Sequence, residues 1–274
     1  MIVTDAQVHV WPAETPDRPW PDERRQYAHR PHYTIDELRA DMAVAGVDRA
    51  ILVPPLSEGD RNDYCLQAAA DHPGAFRVMG RLDVADRASR GLVPRWLEQP
   101  GMLGIRVTFS KNPPASWLED GTADWLWSVA EVAGIPIMVF SPFSIPQIGR
   151  IAARYPDLRI VVDHLGFATG LTDDLGPSIE RLIRLAHLPN VAVKASSLPA
   201  YITEPYPFRT LHDHIERVVD AFGPRRVFWG SDVTRLPCSY GEARRLFTEE
   251  LDFLDAESLE WIMGRGLSEW IGWK

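Results

Sequence analysis

The residues that could do chemistry come in short polar runs at the ends of apolar stretches. Asp5-Ala-Gln-Val-His9 closes the first, setting Gln7 and His9 two residues apart. Gly104-Ile-Arg-Val-Thr108 offers Arg106 and Thr108 on one parity, and Ile160-Val-Val-Asp-His164 offers His164, with Asp163 expected to face the other way. Val191-Ala-Val-Lys-Ala-Ser196 offers Lys194 and then Ser196; Val227-Phe-Trp-Gly-Ser-Asp232 offers Asp232, with Arg235 just beyond. Imidazoles and a carboxylate can move protons or hold a divalent ion, and guanidinium or ammonium groups can hold an anion. Each residue also has a plain structural role: a hydrogen-bonded His, a Lys194 that snorkels to solvent, an Arg106 paired with a neighbouring carboxylate, an Asp232 that caps a helix. The case for a site rests on these ends meeting in one place.

Those runs are positioned by alternating elements. Candidate strands are 2–10, 49–53, 76–82, 103–109, 135–140, 158–164, 191–195 and 226–231, rich in Val, Ile, Leu and Phe as buried parallel strands are. Helical patterns lie near 34–45, 62–72, 88–98, 122–133, 145–155, 175–187, 208–222 and 240–252, with a final helix near 256–270. Thr34-Ile-Asp-Glu37 and Ser239-Tyr-Gly-Glu242 read as capping boxes, and Gly46, Gly134 and Gly223 as helix stops. Eight strand–helix units predict a (β/α)8 TIM barrel as a single domain over 1–274, whose active face is the C-terminal ends of its strands. A doubly wound open sheet is the alternative, but strand 1 runs into Trp11-Pro12 and not a glycine-rich phosphate loop. In strand 1, Ile2, Thr4, Ala6, Val8 and Val10 would pack under helices, while Asp5, Gln7 and His9 share the opposite face. Three polar groups there are costly unless that face lines a polar cavity. The loop 12–33 carries five prolines with Trp20 and Tyr27, follows strand 1, and reads as a candidate lid. His29 and His32 within it, like His212 and His214, are expected at the surface.

The 274 residues carry 45% hydrophobic and 24% charged side chains and a net charge of −9. That composition is globular, and the charge disfavours nucleic acid or an anionic membrane as partner. No apolar run is long enough to span a bilayer, no secretory leader is expected, and Cys65 and Cys238 are far apart, so a cytoplasmic protein with reduced thiols is expected.

The order of Asp5-Ala-Gln-Val-His9, Val162-Asp-His-Leu-Gly166 and Trp229-Gly-Ser-Asp232, with the closing Met263-Gly-Arg-Gly-Leu-Ser-Glu-Trp-Ile-Gly272, resembles the amidohydrolase superfamily. The likeness runs over nearly the whole chain and falls in the amidohydrolase-related branch of small lactonases and decarboxylases. Metal-dependent members of that branch hold one divalent ion with a His-x-His on strand 1, a His on strand 5 and an Asp on strand 8, and use the strand 6 His in catalysis. Here Gln7 stands at the first ligand position and Phe140 at the strand 5 position. His9 and Asp232 remain, fewer than the three protein ligands usual for catalytic zinc. No cofactor is therefore expected, and the alternative is one zinc or manganese ion on His9, His164 and Asp232. Phe140 and Arg106 fit the branch's metal-independent lactonases, such as those acting on pyrone dicarboxylate, which use a strand 4 Arg for a substrate carboxylate; Gln7 does not match them.

The resemblance implies hydrolysis of a lactone in a small, carboxylate-bearing substrate. Asp232 would be the general base, His9 and His164 would stabilise the carbonyl oxygen, Gln7 could add a neutral donor, and Arg106 with Lys194 or Arg235 would clamp the carboxylate. The other readings are a metal-dependent hydrolase or non-oxidative decarboxylase, and an inactive ligand-binding barrel. A homodimer is compatible with the branch.

Overall fold

The computed structural model describes residues 1–111, 114–172 and 174–274. Eight strands, β1 (Thr4–Val8), β2 (Arg49–Leu52), β3 (Phe76–Gly80), β4 (Met102–Thr108), β5 (Ile137–Phe140), β6 (Ile160–Val162), β7 (Val191–Ser196) and β8 (Val227–Gly230), form one parallel sheet in chain order. The eighth strand returns beside the first, where the Asp232 amide donates to the Gln7 carbonyl over 2.8 Å. This is the (β/α)8 barrel that the alternation predicts.

Eight helices cover it in turn: α1 (Ile35–Ala45), α2 (Asp63–Asp71), α3 (Arg87–Leu92), α4 (Asp124–Val132), α5 (Ile145–Arg154), α6 (Gly176–Ile183), α7 (His212–Phe222) and α8 (Tyr240–Arg245). Both capping boxes form, at Thr34/Glu37 and Ser239/Glu242, because each side chain answers a backbone N–H that the first helical turn leaves free. Gly46 ends α1 at φ 69°, which a residue with a Cβ adopts only under strain. The predicted closing helix is broken: α9 (Ala256–Glu260) and α10 (Gly266–Ile271) flank a π-type turn at Trp261–Arg265. A Cβ on Gly264 in that turn would meet the Ile2 carbonyl at 2.6 Å, so the chain is pressed against the start of β1.

Period-two alternation sorts two cores. Ala6, Ile51, Met79, Met138, Val161, Ala192 and Phe228 fill the bore, stoppered from below by Leu267, Ile271 and Trp273. The other parity packs against the helices. Strand 1 breaks the expected pattern. Its register slips between Asp5 and Val8, so Ala6 packs in the bore while Val8 and Val10 join the outer core. Asp5 consequently parts from Gln7 and His9. It bonds outward to the Tyr240 hydroxyl (2.6 Å) and ties the seam through the Gln7 and Ser231 amides (2.9 and 2.8 Å).

Loop 12–33 is closed at its base by an antiparallel Trp11–Tyr33 pair. Arg18 pairs with Glu58 and Asp63, Arg24 with Asp60, and the Trp20 indole donates to Glu58. Five prolines restrict the segment, and these contacts fasten it over the β2–α2 connection. Both cysteines are free thiols. No helix among the described residues is long and apolar enough to cross a membrane.

Candidate functional site

The C-terminal mouth of the barrel holds a cavity of about 300 Å3, roofed by Gln26, Tyr27 and His29 of loop 12–33. His9, Arg106, His164, Asp232 and Arg235 all line it, from four different strand ends. The structure thus brings together five of the seven residues expected from sequence. Gln7 and Lys194 do not line the cavity; both are fully buried behind its wall.

What they do there fixes the state of His9. The Lys194 ammonium donates to Gln7 Oε1 over 2.6 Å, which orients the amide so that Gln7 Nε2 faces His9 Nε2 at 3.1 Å. His9 Nδ1 lies 2.6 Å from the Val53 carbonyl, an acceptor only, so Nδ1 carries the proton. Nε2 is then a lone pair that accepts from Gln7. Burial, with the Arg106 and Arg81 charges behind it, outweighs the pull of Asp232 and pushes the His9 pKa down to about 3. The imidazole is neutral, and its cavity-side nitrogen is an acceptor rather than the donor expected from sequence.

A stability consequence follows. The unfolded chain takes up a proton at His9 near pH 6.5, while the folded chain refuses it down to about pH 3. Between those values the unfolded state binds more protons, so this histidine's contribution is complete above pH 6.5 and is lost as pH falls toward 3. Urea unfolding should give a lower midpoint at pH 5 than at pH 7, and His9→Gln should shrink that difference. An unchanged difference in the variant would assign the acid sensitivity elsewhere.

Beneath the wall lies a buried ion cluster. Asp163 Oδ2 accepts from Arg106 Nε at 3.0 Å, and its Oδ1 is ion-paired with Lys194 Nζ at 2.9 Å. Burial alone would raise the Asp163 pKa; the Lys194 and Arg106 charges win and hold it well below the carboxylate range. Asp163 therefore points inward, contrary to expectation. Strand β6 ends at Val162, and His164 sits at φ 54°, a left-handed conformation that lets two consecutive side chains face the barrel axis. Asp232 at φ 54° and Ser197 at φ 61° do the same at the ends of β8 and β7, and such backbone strain collects at sites where geometry matters more than local comfort.

His164 Nδ1 is 2.8 Å from the Ser196 hydroxyl, and burial lowers the ring's pKa, keeping it neutral. Asp232 is 2% exposed, yet its Oδ1 has no hydrogen-bond partner; the nearest cationic or imidazole nitrogen is His9 Nε2 at 3.8 Å. Burial works against its charge, and the surrounding His9, His164, Arg235 and Arg106 outweigh burial and keep the carboxylate ionised. Arg235 stands at the rim, 44% exposed, its Nε 3.9 Å from Asp232 Oδ2.

The alternative metal set fails on its donors. Among the described residues no three His, Cys, Asp or Glu side chains converge as a metal site, His164 included. The His9 lone pair is filled by the Gln7 amide, and the Lys194 ammonium stands directly behind that amide. These residues do not fit a divalent ion.

Arg81 and Tyr201 are lining residues that the sequence reading did not single out. Arg81 follows β3 on the parity of the bore residue Met79, so strict period-two counting finds it. Tyr201, whose phenol burial keeps protonated, lies in a short 3-10 turn after β7 and had no such signal.

The match to the family named Amidohydrolase runs over residues 4–265. An L-fucono-1,5-lactonase of Burkholderia ambifaria is 27% identical over 247 residues, covering 87% of this chain and 83% of that protein. An amidohydrolase from Burkholderia multivorans with bound zinc superposes with a TM-score of 0.80 at 22% identity, covering 99% of both chains. A probable 2-pyrone-4,6-dicarboxylic acid hydrolase from Acinetobacter baumannii, with citric acid bound, gives a TM-score of 0.79 at 18% identity over 100% of both.

Proposed function

The chain belongs to the amidohydrolase family and is a lactonase-like hydrolase, and from that premise we propose that it opens a small anionic lactone by attack of a water that no metal activates. The observation that carries this reading is Asp232: an ionised, buried carboxylate whose Oδ1 is unpartnered and faces the cavity beside His9 and His164. A water hydrogen-bonded to Oδ1 loses its proton there as it attacks the lactone carbonyl carbon. The acyl C–O bond then breaks, Asp232 returns the proton to the departing ring oxygen, and a hydroxy acid results.

Charge growing on the carbonyl oxygen needs a donor. With the Ser196 hydroxyl assigned as donor to His164 Nδ1, 2.8 Å away, the His164 proton sits on Nε2 and is available to the carbonyl oxygen. His9, by contrast, is a neutral acceptor whose Nε2 lone pair is taken by the Gln7 amide, so it borders the water's site beside Asp232 without donating to the carbonyl oxygen. Arg106, gripped through Nε by Asp163 and through Nη1 by the Thr108 hydroxyl, leaves Nη2 for the substrate's acidic group. The relatives named for lactone hydrolysis support the bond type; the arginine supports the charge.

Ser196→Ala removes the partner that orients the His164 ring and should lower kcat by about tenfold to a hundredfold with little change in KM, because the contact matters once charge develops. A rise in KM alone would place Ser196 in binding. The decisive assay is hydrolysis of a panel of lactones with and without a carboxylate substituent, after dialysis against EDTA and elemental analysis. Turnover that survives metal removal supports this reading. One equivalent of zinc or manganese, with activity lost to chelator and restored by the ion, would replace it by a metal-dependent hydrolase or decarboxylase.

A further inference from the structure

Resting on the anionic-lactone reading, we propose that Arg81 completes a two-guanidinium subsite with Arg106 and selects substrates carrying an acid group on the β3–β4 side of the cavity. Arg81 is 4% exposed, and its backbone N–H and carbonyl are both held by the Asn62 side chain, at 2.7 and 2.8 Å. Its Nε donates to the Pro54 carbonyl over 2.6 Å. Among the described residues the guanidinium has no ion pair, the nearby carboxylates pairing with other cations. Asp60, the acidic group next to it, is taken by Arg24, and Asp163 is shared between Arg106 and Lys194.

A buried guanidinium keeps its proton, so an unpaired one is costly in the empty protein and asks for an anion. Arg81 and Arg106 both line the main cavity and a smaller hollow of about 170 Å3 beside it. Arg81 also borders a third space of about 860 Å3 that opens past α3. On this side Arg24 pairs with Asp60, Arg106 and Lys194 share Asp163, and Glu23 and Asp83 line the smaller hollow, which leaves the Arg81 guanidinium as a cation with no ion pair among the described residues. Across the cavity Asp232 and Arg235 offset each other. The acid group is therefore drawn away from Arg235 and toward β3, while the ester faces Asp232. The ring-opened product then carries two acid groups, one held by the arginines and one newly formed.

The probes are glutarate and butyrate, chain molecules with two carboxylates and one, titrated calorimetrically into the full-length protein. Wild-type protein should bind glutarate about 30-fold more tightly than butyrate, the scale of a buried charge-assisted contact. Arg81→Met should bring that ratio near one, and Arg81→Lys should leave an intermediate value. Arg81→Met should also melt no lower than wild type without ligand, since a strained buried charge has gone. A wild-type ratio near one overturns the subsite, whether or not the variants fold, and so does an Arg81→Met ratio equal to wild type. Both readouts are binding alone, so the subsite can fail while lactone hydrolysis stands, and hydrolysis can fail while the ratio holds.

Discussion

Asp232→Asn is expected to lower kcat by about a hundredfold to ten-thousandfold while leaving the affinity for glutarate within a few-fold of wild type. The asparagine keeps the size and the backbone position at φ 54°, where the amide donates to Gln7. It removes a cavity carboxylate that is ionised, buried and unpartnered at Oδ1. Because the groups around it hold the Asp232 pKa below its usual value, kcat/KM of the wild type should stay level down through the ordinary carboxylate range, roughly pH 4. The sign is that of a base that must be unprotonated: activity is present above its folded pKa and falls below it. A fully active asparagine variant, or an acid limb near pH 6.5, would transfer the role to a histidine.

Asp163→Asn carries the largest expected loss of stability, about 3–5 kcal/mol. The carboxylate answers two buried cations at once, and the substitution leaves the Arg106 and Lys194 charges facing each other with no anion between them. Lys194→Met is the control. It leaves Asp163 paired with Arg106 and removes the ion pair to Asp163 Oδ1 together with the donor to Gln7 Oε1, at a cost of about 1–3 kcal/mol. Urea unfolding of the three proteins should therefore rank them wild type, Lys194→Met, Asp163→Asn. The reverse order of the two variants would show that the ammonium, not the carboxylate, organises the cluster. Since the folded Asp163 pKa is held below the unfolded carboxylate value, its contribution is complete above that unfolded value and is lost as pH falls from there toward the lowered folded one.

The sequence by itself determined the barrel. Period-two apolar runs at regular spacing, separated by amphipathic stretches with capping boxes at Thr34 and Ser239, admit few other arrangements, and strand ends are where a barrel collects its polar groups. His9, Arg106, His164, Asp232 and Arg235 were legible for that reason: each ends or just follows an apolar strand, and all five line the cavity. The faces of Asp5 and Asp163 were not legible. One depends on a register slip between β1 and β2, the other on a left-handed residue after β6, and neither leaves a mark on composition or spacing.

Gln7 shows the division most plainly. Its position announced a family and a missing ligand, but its role depends on a lysine 187 residues away. Only when the barrel closes, with β8 beside β1 and β7 next to it, does the Lys194 ammonium turn the amide toward His9 Nε2, while the Val53 carbonyl holds the proton on Nδ1. Hydrogen-bond direction between groups distant in sequence is a property of tertiary contact, because a donor is defined only by the acceptor the fold sets opposite it.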